Sequence, residues 1–595
     1  MAESPLEQNS IVIECALFCG GEALPSTVVI LSADIDYSIN CIPRATIVFA
    51  DGDITTGKFE LCEDDKLKPG KEVTLKAGYG TQLEPVFTGV IVSLGVSILP
   101  DGRSCTKIVC RHKVIALTES RRNANYLKKS DDDIVKAIAS KYGVTIDSSM
   151  GGGPHKELLQ YYCTDWDFIM TRAEANGCWL LADNNGISIK PIASKGSPNV
   201  SLTWGTDIIE FNATVDAAHQ VKKVESRAWD ITKQDVISGN SNAQSVQTQG
   251  NLNANDLAKV LSIPDAELQI NSQVDKNALN TWAKAEQLKN DLSRIYGNVT
   301  CIGSTKANLG DQVKLDYVSA RFNGNALVSG IHHHMEPDMW TTKISFGLKK
   351  EWYYEKFNTT APAASGFNCG ITGLLTGIVI QVHEDPENLN RVKVKIPLMQ
   401  NEQEGVWARL GTPYASNGAG GLFYPEVNDE VVLGFFNGDP SSPVILGSLY
   451  SSKNQVPKKL DQENNTKQLL TREKLSVLFD EKDKIITVMT PGERKITLDD
   501  KGKKISLEDS KGNKVELSDS GIKLDSPKDI VVSTKGKFNV DAKGGIILKS
   551  ATDLKGEGLN VEFKAKVGLK AQGTATAELS ASGQTVVKGA MVMIN

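Results

Sequence analysis

Residues 495–524 read KITLDDKGKKISLEDSKGNKVELSDSGIKL, a lysine-rich stretch in which pairs of apolar residues keep returning. The two members of each pair stand two residues apart, and residues i and i+2 of a β-strand point to the same face. Each pair therefore predicts a short strand with one apolar face, followed by a polar turn. A disordered charged tail would have no reason to keep this phase. The pairs are Ile496/Leu498, Ile505/Leu507, Val515/Leu517 and Ile522/Leu524.

Beyond this stretch the repeat becomes strictly periodic. The first member of each pair recurs every eight residues, at Ile522, Ile530, Phe538, Ile546 and Leu554. One such octad makes a short strand and a corner and buries only two modest side chains, so the octads must stack on neighbours to gain a core. Three octads of one chain could coil into a triangle, or three chains could each supply one face of an intertwined trimer. The periodicity leaves both arrangements open.

The composition of the whole chain is that of an ordinary globular protein. It has 595 residues, enough for three or four domains, and a net charge of −6, which does not favour a nucleic-acid partner. The first residues, MAESPLEQNS, lack the basic patch and apolar run of a signal peptide. We therefore expect assembly in the cytoplasm and export by another route. Ten cysteines without a C-x-x-C pair predict reduced thiols in the core.

The pattern along the chain divides it into regions. The first 120 residues read as β-strands, three helices are predicted at 130–143, 164–177 and 277–297, and a polar stretch at 237–275 predicts an exposed insertion or a long loop. Several short strands between 371 and 450 predict a small barrel. The resulting domains are 1–360, a barrel at 371–450, a linker at 451–480 and the repeat at 481–595.

The barrel region also carries a specific resemblance. The stretches GIVIQVHEDPENLNRVKVKIP, VWARL and PEVNDEVVLGFFNGDPSSPVILGSLY resemble, in this order, the OB-fold of VgrG-type spike proteins of contractile injection systems. Upstream, CTDWDFIMTRAEANG resembles the tail hub of the same family, and the octads followed by TVVKGAMVMIN resemble its needle. The signature residues of the OB-fold are Asp385, Pro386, Arg391, Trp407, Arg409, Pro425, Asp429, Gly438, Asp439 and Pro440.

The resemblance implies a mainly β protein. Its parts would be a phage-tail-hub-like N-terminal region of β-barrel and α+β character, an OB-fold, and a C-terminal triple-stranded β-helix shared by three chains. Such a homotrimer would cap an Hcp-like tube ring beside baseplate proteins, in type VI secretion or in an extracellular phage-tail-like particle. It would carry a PAAR-type tip protein, or effectors, and meet the target membrane only during puncture. An apolar end suits docking of the tip, through Met591, Val592, Met593, Ile594 and Asn595.

No pattern in the sequence indicates catalysis, a cofactor or a metal site. The run His332-His333-His334 suggests metal ligands, but neighbouring strand residues alternate faces, and no acid or cysteine cluster adjoins the run in sequence. We therefore predict no metal and no enzyme activity. Two alternatives are a spike-associated cell-wall hydrolase, for which the interval between barrel and repeat is too short, and a receptor-binding tail fibre, which would need neither hub nor OB-fold.

Overall fold

The structure is a computed structural model that describes residues 3–5, 12–184, 186–191, 197–242, 248–272, 274–399 and 404–594. It forms two compact units, Met1–Leu449 and Tyr450–Asn595. Strands outnumber helices in both units, and the mainly β fold predicted from the sequence is confirmed.

The first unit begins with a long series of strands interrupted by six helices. The helices are α1 Glu60–Glu63, α2 Asp131–Ser140, α3 Asp165–Ala175, α4 Ala254–Leu257, α5 Lys276–Leu292 and α6 Tyr353–Lys356. The strands are β1 Ile13–Cys19, β2 Glu22–Ala23, β3 Ile30–Ser38, β4 Arg44–Ala50, β5 Glu72–Tyr79, β6 Gln82–Ile98, β7 Ser104–Arg111, β8 Arg121–Lys129, β9 Asp147–Ser148, β10 His155–Thr164, β11 Cys178–Asp183, β12 Gly186–Pro191, β13 Val200–Thr203, β14 Glu210–Val215, β15 Lys223–Asp230, β16 Asp235–Asn242, β17 Ala266–Ile270, β18 Ile295–Ile302, β19 Gln312–Asp316, β20 Gly324–Glu336 and β21 Met339–Phe346.

Thirteen of these strands form one sheet, with the main order β14-β18-β21-β20-β3-β4-β7-β6-β5-β1-β2. Strand β3 shows why the sheet has one buried face and one solvent-facing face. Ala33, Ile35 and Tyr37 point into the core, whereas Asp34 and Asp36 between them point outward. This alternation has the period of two that a half-buried strand requires.

Helices α2 and α3 begin where their capping residues predict. The Ser130 side chain accepts a hydrogen bond from the Asp133 N–H and the Thr164 side chain accepts one from the Asp167 N–H. The third predicted helix is shorter than expected: α5 ends at Leu292, and Ile295 already begins strand β18. The apolar spacing continued past the helix because the strand buries residues toward the same core.

For the stretch 237–275, predicted as an exposed insertion or a long loop, the loop alternative is wrong where strands β16 and β17 and helix α4 lie. Strands β16 and β17 flank β15 on its two sides and form a small sheet. Its small polar residues are explained by packing, because a Cβ on Gly239 would lie 2.6 Å from the Asn280 backbone nitrogen of helix α5. The Ser226 hydroxyl donates to the Leu279 carbonyl at 2.8 Å. Close contact with the helix thus favours Gly239 within the predicted loop and Ser226 on the adjacent strand β15.

A buried ion pair joins helix α5 to helix α3. Lys289 Nζ lies 3.0 Å from Glu174 Oε1, and both side chains are at most 4% exposed. The second Glu174 oxygen accepts from the Tyr353 backbone N–H at 2.6 Å, and Asn40 donates to the carboxylate at 3.1 Å. Lys289 also lies 4.3 Å from the centre of the Trp352 ring. These contacts tie a turn after β3, two helices and the start of α6 together.

The first unit ends in a small closed barrel with the strand order β22-β23-β24-β28-β27. Val379, Val394, Ala408, Leu433 and Ile445 fill its interior and are fully buried. The barrel therefore lies where the sequence predicts it. Its strands, with the exposed hairpin β25–β26, are β22 Leu375–Gln381, β23 Val392–Lys395, β24 Val406–Leu410, β25 Ala415–Ser416, β26 Ala419–Gly420, β27 Glu430–Phe435 and β28 Pro443–Ser448.

The second unit contains one antiparallel sheet of seven consecutive strands. The sheet begins at Thr466, inside the stretch predicted as a linker, because Leu469, Val477 and Phe479 extend the apolar pattern upstream. No strand is found among residues 526–594, so a coil of octads within one chain is not what the structure contains. The seven strands are β29 Thr466–Leu470, β30 Ser476–Asp480, β31 Ile485–Met489, β32 Lys495–Asp499, β33 Lys504–Glu508, β34 Lys514–Ser518 and β35 Gly521–Asp525.

Among the described residues, no helix is both long and apolar enough to cross a membrane.

The ten cysteines are unpaired thiols, and Cys369 is the exposed one among them. Burial raises the pKa of Cys110, Cys178 and Cys301 to about 12, so these thiols stay protonated and unreactive at neutral pH. We expect the folded protein to show one fast-reacting thiol toward a disulfide reagent such as DTNB, and Cys369→Ser to remove it. A variant that keeps the full fast phase would contradict this prediction.

Candidate assembly interface

The seven-stranded sheet has one face made of apolar side chains. We call this set the apolar face; eleven of its members are exposed and Val477 and Val515 are half-buried. An apolar sheet face is normally covered by another layer, and a contiguous exposed apolar surface of this kind marks a protein–protein contact. Its members are Leu469, Val477, Phe479, Ile486, Val488, Ile496, Leu498, Ile505, Leu507, Val515, Leu517, Ile522 and Leu524.

Strand register arranges the apolar face in two columns. In one column Val488 lies opposite Ile496, Ile496 opposite Leu507, and Leu507 opposite Val515. Directly opposed residues of an antiparallel pair have their Cβ atoms about 4.5–5.5 Å apart, so the columns are continuous. A groove of about 680 Å³ runs beside this column toward Ile530.

The opposite face of the same sheet is polar from β32 onward and is more shielded than the apolar face. Ser506 is 5% exposed, whereas its neighbours Ile505 and Leu507 are 45% and 44% exposed. Lys495 Nζ lies 3.3 Å from Glu508 Oε2 on the next strand, and Lys514 Nζ lies 2.6 Å from Glu516 Oε2. In one chain, therefore, these four charged side chains have ionic partners, whereas most side chains of the apolar face are exposed to solvent.

The octads after Asp525 are also uncovered. Ile530, Phe538, Ile546 and Leu554 are between 55% and 70% exposed. Of the predicted tip-docking residues, Met591, Val592, Met593 and Ile594 are between 50% and 91% exposed, and Asn595 lies outside the described residues. Both sets lack the covering that apolar side chains require.

The OB-fold signature residues lie in turns and on the outer wall of the barrel. Asp385 stands in the β22–β23 connection, where its carboxylate accepts from Arg391 Nε at 3.0 Å and Nη2 at 2.7 Å, and from the Leu389 N–H at 2.9 Å. The Arg391 guanidinium holds the pKa of this carboxyl well below its usual range. Pro386 follows Asp385 in the same connection and is exposed. The Asp385–Arg391 ion pair fixes the turn that leads into β23.

Further signature residues close other turns of the barrel. Asp429 accepts a hydrogen bond at 2.8 Å from the N–H of Glu426, the residue that follows the buried Pro425. Asp439, before Pro440, accepts from the Ser441 N–H at 2.9 Å. Gly438 has a φ of +69°, and a Cβ there would lie 3.0 Å from the Ile371 carbonyl oxygen, so its conformation favours glycine.

Two signature residues flank a buried alanine on strand β24. Trp407 and Arg409 point away from Ala408, which is fully buried. Lys393 Nζ lies 5.7 Å from the Trp407 ring centre, and the Arg409 guanidinium lies 5.9 Å from the Phe436 ring centre. Taken together, the signature maintains the barrel, and its residues do not converge on a reaction centre.

The structure places acidic side chains beside the histidine run that the sequence left isolated. His332 and His334 point to one face of β20, and His333 is buried on the other, where its Nδ1 lies 3.0 Å from the Thr342 hydroxyl. Asp36 and Asp34 of strand β3 lie directly opposite His332 and His334. The alternation Asp34-Ile35-Asp36 mirrors the spacing of the histidines, but the sequence alone does not pair two strands so far apart.

Comparison with known proteins gives two family matches. Residues 9–337 match the Alg8 N-terminal domain, and residues 375–450 match the type VI secretion system/phage-baseplate injector OB domain. The second match begins at the first residue of β22 and covers the closed barrel. The first covers the N-terminal 120 residues, for which the sequence had indicated strand character alone.

Individual relatives match short segments. The type VI secretion system spike protein VgrG3 of Vibrio cholerae is 35% identical over 91 residues, which is 15% of this chain and 9% of that protein. The actin cross-linking toxin VgrG1 of Vibrio cholerae is 36% identical over 87 residues, 14% of this chain and 8% of that protein. The chain thus spans less than a tenth of the length of these relatives. An E. coli type VI secretion component with structural similarity to bacteriophage T4 gp27 and gp5 aligns with 73% of this chain and 99% of its own, at 15% identity and a TM-score of 0.38.

The closed barrel is an OB domain of the type VI secretion system/phage-baseplate injector kind, and short segments of the chain are similar to VgrG spike proteins. More than half of the chain matches the Alg8 N-terminal domain, and the chain belongs to that family.

Proposed function

We propose that three copies of this chain form the central spike of a contractile injection system and puncture the target envelope. The observation that carries the proposal is the apolar face of residues 469–524, which one chain leaves in contact with water. Burial of apolar surface contributes about 25 cal/mol per Å² to the free energy of association. A sheet with thirteen such side chains is therefore strongly stabilised when it associates with identical copies.

The polarity of the sheet suits a closed prism. If three sheets turn their apolar faces to a common axis, the ion-paired faces of Lys495, Glu508, Lys514 and Glu516 stay in water. The octads after Asp525, which have no strand partners within their own chain, would then find them on neighbouring chains. The number three rests on the resemblance to VgrG-type spikes, since an apolar sheet face alone does not determine how many chains associate.

A prism of this kind has a mechanical role. When every strand edge is paired, no edge is left to fray under load, and force from the contracting sheath concentrates on a small area. In this role the hub would meet an Hcp-like tube ring and baseplate proteins, and the spike would carry effectors or a tip protein out of the cell. No chemical reaction by this chain is needed.

The direct test of the assembly is the mass of the purified full chain in solution. Light scattering should return three times the chain mass of 64.4 kDa, with no dependence on dilution across the micromolar range. A monomer or a dimer of the folded chain would overturn the proposed spike.

We further propose that the C-terminal residues dock a PAAR-type tip protein. Met591, Val592, Met593 and Ile594 follow the repeat and are exposed as a group. In a trimer, three copies of this segment would meet and form an apolar platform at the end of the prism.

Deletion of residues 588–595 should abolish capture of a PAAR-type protein in a pull-down, because the platform is lost while the repeat upstream remains. The trimer mass and the circular dichroism of the deleted protein should equal those of the full chain. Undiminished capture by the deleted protein would refute this docking site.

A further inference from the structure

A cluster of histidine and aspartate side chains lies on the outer face of the large sheet. Strands β3 and β20 are adjacent and antiparallel, with His332 opposite Asp36 and His334 opposite Asp34. The histidines and aspartates are about 300 residues apart in the chain, at sequence separations of 296 and 300. Because residues two apart on a strand share a face, all four side chains project to the same side.

Three ligand atoms of this cluster converge. One nitrogen of His332, one nitrogen of His334 and one carboxylate oxygen of Asp34 all lie within 4.8 Å of one another. Asp34 Oδ1 is 3.6 Å from His332 Nε2 and 2.7 Å from His334 Nδ1. The two imidazole rings are nearly parallel, with an angle of 12° between their planes and 6.5 Å between their centres.

The second nitrogen of each ring faces a different carboxylate. His332 Nδ1 lies 2.8 Å from Asp36 Oδ1, and His334 Nε2 lies 3.5 Å from Glu336 Oε1. A histidine that binds a metal usually donates its other N–H to a carboxylate, which fixes the tautomer and the ring orientation. Both histidines therefore have one nitrogen directed at Asp34 and an outer carboxylate on the other side.

We propose that His332, His334 and Asp34 bind a divalent transition metal, with zinc as the best match. Two imidazole nitrogens and one carboxylate oxygen are a common three-ligand set for Zn²⁺, with a fourth position left to water. Metal–ligand distances of about 2.0–2.2 Å in a tetrahedron place ligand atoms about 3.3–3.6 Å apart. The distance of 3.6 Å from His332 to Asp34 already fits, and the 2.7 Å hydrogen bond to His334 would open by less than 1 Å.

The surroundings carry charges of both signs. Asp36 and Glu336 add two carboxylates next to the histidines. Lys343, opposite His332 on β21, and Arg44, opposite Asp36 on β4, are positive side chains on the two flanking strands. The side chains of His332, His334 and Asp34 are 37%, 31% and 39% exposed, so a metal ion can reach them from solution. A bound ion would tie β3 to β20 and stabilise the folded sheet by mass action.

The test is a titration of the EDTA-treated, dialysed full-length protein with ZnCl₂ by isothermal calorimetry. The native chain should bind one more Zn²⁺ per chain than the double variant His332→Ala/His334→Ala. Zinc should also raise the melting temperature of the native protein and leave that of the double variant unchanged. His383→Ala is the matched control, because His383 is a well-exposed histidine, with 70% of its side chain accessible, outside the cluster, and it should behave like the native chain.

The variant Asp34→Asn provides a second test in case the double variant fails to fold. Its amide has the size of the carboxylate and can still accept a hydrogen bond. We expect it to weaken zinc affinity by about tenfold or more, in keeping with the cost of perturbing a metal site. The same zinc uptake and affinity in the native chain, the double variant and Asp34→Asn would overturn the proposal, and so would a zinc-induced rise in melting temperature that survives loss of both histidines.

Discussion

The variant Ile496→Asp is expected to dissociate the proposed trimer. Ile496 lies in the middle of the apolar face, opposite Val488 and Leu507. In a closed prism three copies of the new carboxylate would approach the axis without partners. An uncompensated buried charge costs about 3 kcal/mol or more per chain, hence about 9 kcal/mol for three chains, which weakens association roughly a millionfold. Light scattering should then return the mass of one chain.

Thr497→Asp is the matched control for this prediction. Thr497 is the next residue of the same strand, carries the same change in charge when substituted, and points to the polar face. The control should remain a trimer with an unchanged melting profile. If Ile496→Asp also stays trimeric, or if both variants dissociate alike, the apolar face is not the contact between chains.

The largest change in the stability of the first unit is expected from Lys289→Met. This substitution leaves the Glu174 carboxylate buried with its hydrogen bonds to Asn40 and Tyr353 but without the cation. Removal of one partner from a buried ion pair lowers the free energy of unfolding by about 3–5 kcal/mol. Urea unfolding followed by tryptophan fluorescence reports on the first unit, because all eight tryptophans lie before residue 450.

A second substitution separates charge from packing. In Glu174→Gln/Lys289→Met the buried charge is gone, and we expect most of the lost stability to return, since neutral replacements for a buried pair are often tolerated. Lys314→Met, at a lysine with 46% of its side chain exposed, should change the free energy of unfolding by about 0.5 kcal/mol or less. A double variant no more stable than Lys289→Met alone would show that packing around the lysine, and not the pair, carries the effect.

Local patterns predicted the elements well where each residue's neighbours in the chain decide its structure. Ser130 and Thr164 marked the helix starts because a capping side chain bonds to an N–H three residues on. The error at 237–275 arose from a contact with helix α5, which favours the small residues that a local pattern assigns to a loop. The early end of α5 has a similar origin, since Ile295 is buried in a strand toward the same core as the helix.

The candidate sites show the same contrast between features that a local pattern reveals and features that depend on tertiary contacts. The pairs Ile496/Leu498 and Ile505/Leu507 indicated an apolar face from spacing alone, and the sheet has that face. The OB-fold signature found the barrel, yet the roles of Asp385 and Arg391 became visible as a turn-stabilising pair once their contacts were known. Of the proposed zinc ligands, the sequence indicates the two histidines, because they lie two residues apart, but it does not indicate Asp34, which is about 300 residues away.

The sequence by itself determined that the apolar pairs between Ile496 and Leu524 lie on strands and that these pairs form one apolar face, because this follows from a spacing of two residues within one chain. The tertiary structure alone decided that the apolar face stays uncovered within the chain and that Asp34 meets His332 and His334. Strand order and register bring residues about 300 positions apart into contact, and a local pattern carries no information about that pairing.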